Sequence, residues 1–189
     1  AQAMRTDGYI PVPVSLRGRV DADANVRFGN GRTIVDRHFS TGTVFASANL
    51  FNESRQNGTV LQRNHTRLIE GTLGADVALA GGTLNLRTYM SGQHFDQTFS
   101  SISLDRNTEA LVRVQAVPSQ QFGFSAVWNR QLGHRNTFAV GTDLRRVTGH
   151  SDEVLWARNA PTGTVDAGGR QLYLGTFVED MLRIGSRLH

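Results

Sequence analysis

Apolar or small residues occupy every second position across residues 15–29 (SLRGRVDADANVRFG), and mostly charged or amide residues fill the positions between them. A period of two is typical of a β-strand whose two faces meet different surroundings. The pattern therefore predicts a strand here. The same alternation predicts seven more strands, at residues 41–51, 66–80, 83–97, 109–117, 121–132, 136–148 and 170–185.

Links between the predicted strands are alternately short and long. The short links contain turn-forming residues and suit tight connections between antiparallel neighbours. They are GNGR after the first strand, AGG at 80–82, VPSQQ at 117–121 and LGHRN at 132–136, and the long links are residues 52–65, 98–108 and 149–169. This order indicates an up-and-down meander.

Several of the predicted strands are longer than a dozen residues. Soluble strands average about 5–6 residues, whereas a tilted strand needs about 9–11 residues to cross a bilayer. Transmembrane barrels also join their strands by short turns at one end and longer loops at the other. We therefore expect an all-β fold, an antiparallel up-and-down meander closing into a barrel of about eight strands.

The domain organisation expected is one barrel domain at residues 15–189 with an N-terminal extension at residues 1–14. Within that extension, Ala-Gln-Ala before Met4 looks like a remnant of cloning.

Alternation does not decide which face of the sheet meets water. In residues 83–97, Leu84 and Leu86 lie on one side, and Asn85 and Arg87 lie on the other. A membrane barrel turns the apolar side outward to lipid and the polar side into its lumen. A water-soluble barrel turns the apolar side inward as its core. Both arrangements stay open at this point.

Four stretches resemble the β-barrel of a TonB-dependent outer-membrane receptor: RTDGYIPV at 5–12, residues 41–59, residues 68–103, and residues 125–149 with GTDLRR. The resemblance implies a parent protein in the outer membrane of a Gram-negative-type bacterium. Such a parent takes up a small-molecule ligand, for example an iron chelate.

Parts typical of that family are not found in the sequence. There is no plug domain and no energy-coupling box, and the last residue is His189 where such barrels usually end on an aromatic residue. We therefore expect an internal fragment of the barrel. The isolated chain would then be a soluble recombinant fragment, whose barrel edges could pair in a homo-oligomer.

Composition excludes several classes of site. The chain has no cysteine, so it forms no disulfide and no thiolate metal site. Its formal net charge of +4 comes from arginine alone, because lysine is absent. The arginines are scattered and do not form a basic stripe with interleaved aromatics, so we expect no nucleic-acid partner.

The motif HFD places His94 and Asp96 on one face of a strand, with the spacing of two metal ligands. A third ligand from another histidine would complete a zinc site that generates a nucleophilic hydroxide. The competing interpretation is a solvated pair at the barrel rim.

Charged residues also mark the polar face. Asp21 and Asp23 could form a cation site or an acid–base pair, or they could pair with arginines on neighbouring strands. The full set expected on the polar face is Arg19, Asp21, Asp23, Glu70, Asp76, Arg87, Asp143 and Arg145.

Three functions remain in competition. The first is a receptor barrel fragment with no catalytic residue. The second is a repurposed or engineered soluble eight-stranded barrel with metal-dependent hydrolase activity through His94 and Asp96. The third is a soluble barrel that binds a small apolar ligand in its mouth.

Overall fold

The computed structural model of the chain describes residues 1–184. Eight strands form one sheet, and each strand pairs antiparallel with the next along the chain. The strands are β1 Gln2–Tyr9, β2 Ala24–Phe39, β3 Gly42–Gln56, β4 Arg63–Leu79, β5 Gly82–Ile102, β6 Glu109–Leu132, β7 Asn136–Ala157 and β8 Ala160–Leu182. The predicted all-β antiparallel meander is confirmed.

Strand boundaries differ from the predicted ones at both ends of the chain. β1 lies within residues 1–14, where the sequence pattern predicted no strand. The first predicted strand shifts toward the C-terminus, because residues 17–23 form a loop and β2 begins at Ala24. The link predicted at residues 149–169 is mostly strand, with a tight turn at residues 158–159.

Two predicted turns are strand interior. Gly29 and Gly31 lie within β2 and are absent from the residues with positive φ, so this glycine-containing stretch runs extended. Pro118 lies within β6, opposite His94 of β5. On the other side of β6, pairing with β7 pauses between Ala116 and Ser119, where the proline has no N–H to donate.

The sheet is open, which corrects the expectation of a closed barrel. β1 and β8 are its two edges and do not pair with each other. A closed barrel of eight strands has room inside only for packed side chains. The polar face carries too many charged side chains to pack in so narrow an interior.

A single layer of this kind has almost no core. The solvent-accessible surface is 13095 Å², whereas the size scaling of folded monomers gives about 8,900 Å² for a chain of 20.7 kDa. Within residues 1–184, Val20 is the one buried hydrophobic residue, at 6% exposure. No helix in this part of the chain is long and apolar enough to span a membrane. Both faces of the sheet are left without a covering layer.

Three tight turns lie at one end of the sheet, and they are staggered. Gly42 at the start of β3 pairs with Val77, and β4 continues two residues further to Leu79. The next hairpin repeats this step. Thr83 pairs with Asn129, so the first residue of β5, Gly82, aligns with Arg130, and β6 continues two residues further to Leu132. Because each hairpin contains two strands, a step of two residues per hairpin is one residue per strand. One residue rises about 3.3 Å and neighbouring strands lie about 4.8 Å apart, so the strands are inclined by about 35° to the axis of a barrel built from this sheet. That value falls at the lower end of the roughly 35–45° tilt of transmembrane barrel strands.

Candidate functional site

The strand register separates the sheet into two chemically different faces. One row of directly paired residues is Val44, Ala75, Leu86, Ala126, Thr142 and Thr176, and we call its side the apolar face. The neighbouring row is Phe45, Gly74, Arg87, Ser125, Asp143 and Gly175, and we call its side the polar face.

An uncharged belt crosses the apolar face near the tight turns. Its longest run is on β4, from Ile69 to Leu79. At the strand rise and inclination given above, that run is about 27 Å tall, close to the roughly 25 Å apolar band of outer-membrane barrels. The belt residues are Ala3, Gly29, Gly31, Thr33, Val35, Val44, Ala46, Ala48, Leu50, Ile69, Gly71, Leu73, Ala75, Val77, Leu79, Leu84, Leu86, Thr88, Met90, Gly92, Phe122, Phe124, Ala126, Trp128, Phe138, Val140, Thr142, Leu144, Leu172, Leu174, Thr176 and Val178.

Charged and aromatic residues mark the edge of the belt nearest the tight turns. On the apolar face, Arg37, Arg130 and Asp180 lie near the ends of their strands. The indole of Trp128 donates a hydrogen bond of 2.9 Å to the carbonyl of Leu79 and meets the ring of Phe138 edge-on at 6.3 Å. An indole at such a boundary is typical of the interfacial aromatic residues of membrane proteins.

Five of the charged residues expected on the polar face lie there: Glu70, Asp76, Arg87, Asp143 and Arg145. The guanidinium of Arg87 donates two hydrogen bonds to Asp76, at 2.7 and 3.0 Å, and stands 5.0 Å over the ring of Phe45. These two oppositely charged side chains compensate each other across β4 and β5.

Amide side chains pair with two of the remaining charges. Asn49 donates to Glu70 at 2.9 Å, and Arg145 donates to Gln121 at 3.3 Å. Asp143 and Arg145 share the polar face but form no ion pair with each other within residues 1–184. The face is a ladder of partly exposed polar contacts.

Aromatic rings cover glycines on the polar face. Phe45 lies directly opposite Gly74, Tyr89 opposite Gly123, and Phe177 opposite Gly141. A Cβ placed on each glycine would lie 2.2–2.4 Å from the nearest ring atom. The missing side chain is what allows each ring to lie flat across the neighbouring strand. Sequence reasoning missed these pairs, because nothing in a single strand shows which glycine faces which ring.

The remaining expected charges lie in a loop and not on a strand face. Asp21 accepts a hydrogen bond of 2.9 Å from the guanidinium of Arg106, and its side chain is only 1% exposed. Arg19 donates its backbone N–H to the side chain of Asn107 at 3.2 Å, while Asp23 is exposed. The hydrogen bonds from Arg106, and then that from the Gly18 N–H, lower the pKa of Asp21 below its ordinary value.

A second set of half-buried polar contacts continues from this loop. Glu109 accepts hydrogen bonds from the hydroxyl of Thr59 at 2.5 Å, the hydroxyl of Ser100 at 2.6 Å and the N–H of Leu61 at 3.0 Å. Thr59 also forms an isolated β-bridge with Asp21. We call the Asp21, Thr59, Arg106 and Glu109 contacts the loop clasp, because they join three loops at the end of the sheet away from the three staggered turns.

His94 and Asp96 do lie together, with 3.0 Å between the imidazole Nε2 and a carboxylate oxygen, and both are about half exposed. The same spacing recurs as His38 with Asp36 and His150 with Asp152. Within the described part of the chain, no group of three or more His, Asp or Glu side chains could hold a metal ion. The recurrence favours a local pairing of histidine with a nearby aspartate on one strand face.

His189, a candidate for the third ligand, lies outside the described residues. The donor set that the structure describes does not fit a zinc centre, so no chemical step through a metal follows from it.

The chain matches no protein-family model, no curated protein and no solved structure. What the arrangement can do is therefore read from its geometry. The sheet offers an uncharged belt that crosses β3 to β8, a polar face on which some of the charges are paired, and loops held together at one end.

Proposed function

We propose that the chain is a sector of a transmembrane β-barrel of the outer-membrane type, with the apolar belt in lipid and the polar face lining a hydrated lumen. The observation that carries this proposal is the belt itself. It runs without a charge through four to six successive apolar-face positions on every strand from β3 to β8, about 16–27 Å at the inclination given above. Arg37, Arg130 and Asp180 bound it toward the tight turns.

The same face becomes polar beyond the belt, which argues against a water-soluble barrel. His150, Asp152, Asp166 and Arg170 lie on the apolar face of β7 and β8. If that face were turned inward as a core, these charges would be buried with too few partners, at a large desolvation cost. In a membrane barrel they rise out of the bilayer into water.

The open edges favour a barrel with more than eight strands. β8 is a strand of 23 residues with one unpaired edge. Exposed edges of this length recruit other strands. Further strands beside β1 and β8 would satisfy them and widen the lumen enough to hydrate the polar face. Pairing of the edges with a second copy of the chain is the other way to satisfy them.

Within this architecture, the receptor of the TonB-dependent class is the function we propose for the parent protein. Strands β5 to β8 have 21–24 residues, about twice the roughly 9–11 that a bilayer crossing needs. They project well beyond the belt, and the link between β5 and β6 is one of the three loops that the loop clasp joins. A tall wall with fixed loops suits capture of a small-molecule ligand such as an iron chelate in the outer membrane of a Gram-negative-type bacterium. No observation favours the hydrolase or the soluble ligand-binding barrel.

Quenching of tryptophan fluorescence by brominated lipids tests the proposal, because Trp128 lies in the belt and Trp156 lies near the far end of β7. The full chain is reconstituted into vesicles as two single-tryptophan variants, Trp128→Phe and Trp156→Phe. We expect bromine near the headgroups to quench Trp128 strongly and Trp156 weakly. Equal quenching of both residues would overturn the proposal. So would a chain that is monodisperse in buffer without detergent and does not insert into vesicles.

A further inference from the structure

A row of basic residues lies immediately beyond the belt, on the side away from the three staggered turns. On each strand, the next residue of the apolar face after the belt is Arg5, Arg27, Asn52, Arg67, His94, Gln120, Arg146 or Arg170. Six of these eight positions are basic and none is acidic. We call the six basic residues the girdle.

Girdle residues on neighbouring strands lie beside one another. Arg5 pairs directly with Arg27, and Arg67 pairs directly with His94. Arg146 is opposite Leu172, so Arg170 is its diagonal neighbour on β8. Like charges at such positions destabilise a sheet unless something of opposite charge lies between them.

The girdle arginines have few protein partners. Within residues 1–184, no salt bridge or hydrogen bond involves the guanidinium groups of Arg27, Arg146 and Arg170, and all three residues are exposed. Arg5 has only a loose 3.6 Å contact with the exposed Asp7. On the polar face, by contrast, Arg87 is held by Asp76.

In the part of the chain that the structure describes, the carboxylates nearest to the girdle contact only two of its six members, Arg5 and His94. Asp96 lies one position further from the belt than His94 and contacts that imidazole. Asp152 and Asp166 lie further out still, directly opposite each other. On this side of the belt, the acidic residues of the apolar face therefore begin only beyond the basic row, where they are mixed with His65, Arg63 and His150.

We propose that the girdle binds the phosphate groups of the lipid headgroups that surround the barrel at this end. The inference rests on the proposed function, because it requires the belt to lie in lipid. Lipid headgroups begin where the apolar band ends, and a pair of guanidinium groups can each offer two parallel N–H donors to a phosphate. Asn52 and Gln120 add neutral donors between the basic pairs.

Electron paramagnetic resonance of spin-labelled lipids tests this proposal directly. The full chain is reconstituted in phosphatidylcholine, and the association of spin-labelled phosphatidic acid with the protein is compared with that of spin-labelled phosphatidylcholine. We expect the wild type to prefer phosphatidic acid. The variant Arg146→Gln/Arg170→Gln should weaken that preference by up to about 25-fold, since each basic residue near a membrane surface contributes about 5-fold.

A matched control removes the same charge from the other face. Arg32 and Arg145 lie on the polar face, and Arg145 is the sequence neighbour of Arg146. The variant Arg32→Gln/Arg145→Gln should keep the wild-type preference. A second girdle variant, Arg5→Gln/Arg27→Gln, repeats the test at the opposite edge if the first does not fold.

Each remaining outcome contradicts the proposal in a distinguishable way. A wild type that inserts, as judged by quenching of Trp128, but shows no preference for phosphatidic acid overturns the girdle and leaves the membrane barrel standing. Equal losses in the girdle and control variants would mean a general effect of net charge, which also overturns it. A chain that does not insert overturns both proposals.

Discussion

The ring of Tyr89 lies across Gly123, the residue directly opposite it on the next strand, so closely that a Cβ on the glycine would be 2.2 Å from the ring. The contact joins β5 to β6 at a position that has no core beneath it. In a single-layer sheet, cross-strand contacts of this kind must supply the packing that a second layer supplies elsewhere.

Replacing this glycine should therefore destabilise the sheet. We expect Gly123→Ala to lower the free energy of unfolding by about 1–3 kcal/mol, since the ring must move or strain. Gly92→Ala is the matched control, because nothing lies within 4 Å of a Cβ at that position. Urea unfolding of the vesicle-bound chain measures both, and similar losses in the two variants would contradict the role of the ring.

The ion pair of Arg87 and Asp76 should contribute little despite its good geometry. Both side chains are more than a third exposed, so solvent screens their attraction. We expect Asp76→Asn to lower the free energy of unfolding by about 0.2–1 kcal/mol in the same assay. A loss several times larger would mean that the polar face is dry, against a hydrated lumen.

The loop clasp should loosen in acid. Because the pKa of Asp21 is lowered in the folded chain, its contribution is fully present above the ordinary value of 3.8 and is lost as the pH falls through the lowered value. Amide exchange at Val20, whose N–H donates to the carbonyl of Arg106 at 3.1 Å, reports the opening. Its protection factor should fall below about pH 4.

Two variants separate Asp21 from acid effects elsewhere. Asp21→Asn should weaken protection of Val20 at neutral pH and remove most of its acid-dependent loss. Asp23→Asn, at an exposed position in the same loop, should behave as the wild type. If Asp21→Asn keeps the full acid transition, another group controls the clasp.

A charge in the belt should be costly according to its depth. Leu73 lies near mid-height of the belt on β4, and Asn52 lies on the same face of β3 just beyond it. We expect Leu73→Arg to cost about 2–4 kcal/mol in vesicles and Asn52→Arg about 0–1 kcal/mol. Urea unfolding of both variants in vesicles measures the two costs. Equal costs would contradict a belt that lies in lipid.

Local patterns predicted the interiors and faces of β3, β4, β5 and β7, but they missed β1 and divided β6 into two strands. Alternation alone placed Glu70, Asp76, Arg87, Asp143 and Arg145 on one side, and the structure puts all five on the polar face. The turns at residues 80–81 and 133–135 were also predicted from their glycines. A period of two depends only on neighbours in the chain, so the two faces of a strand can be predicted without knowledge of the fold.

Long-range pairing could not be predicted in this way. Residues 15–23 alternate like a strand, yet Gly18 and Asp21 bond to each other and Asp21 reaches Arg106, 85 positions away. The sequence also does not show whether the sheet closes into a barrel, because closure depends on whether β1 and β8 pair with each other. The stagger of the turns and the girdle emerge only when the register aligns all eight strands.

The most direct test of the membrane-embedded belt compares two singly labelled variants, with a spin label at position 73 or at position 72. The quantity measured is the collision rate of each label with oxygen and with a water-soluble nickel chelate. The chain has no cysteine, so Leu73→Cys and Thr72→Cys each carry one label, on the apolar and polar faces respectively. In vesicles, we expect the label at position 73 to collide readily with oxygen and rarely with a water-soluble nickel chelate, and the label at 72 to do the reverse. A label at 73 that neither reagent reaches, as in a packed core, would contradict the membrane barrel.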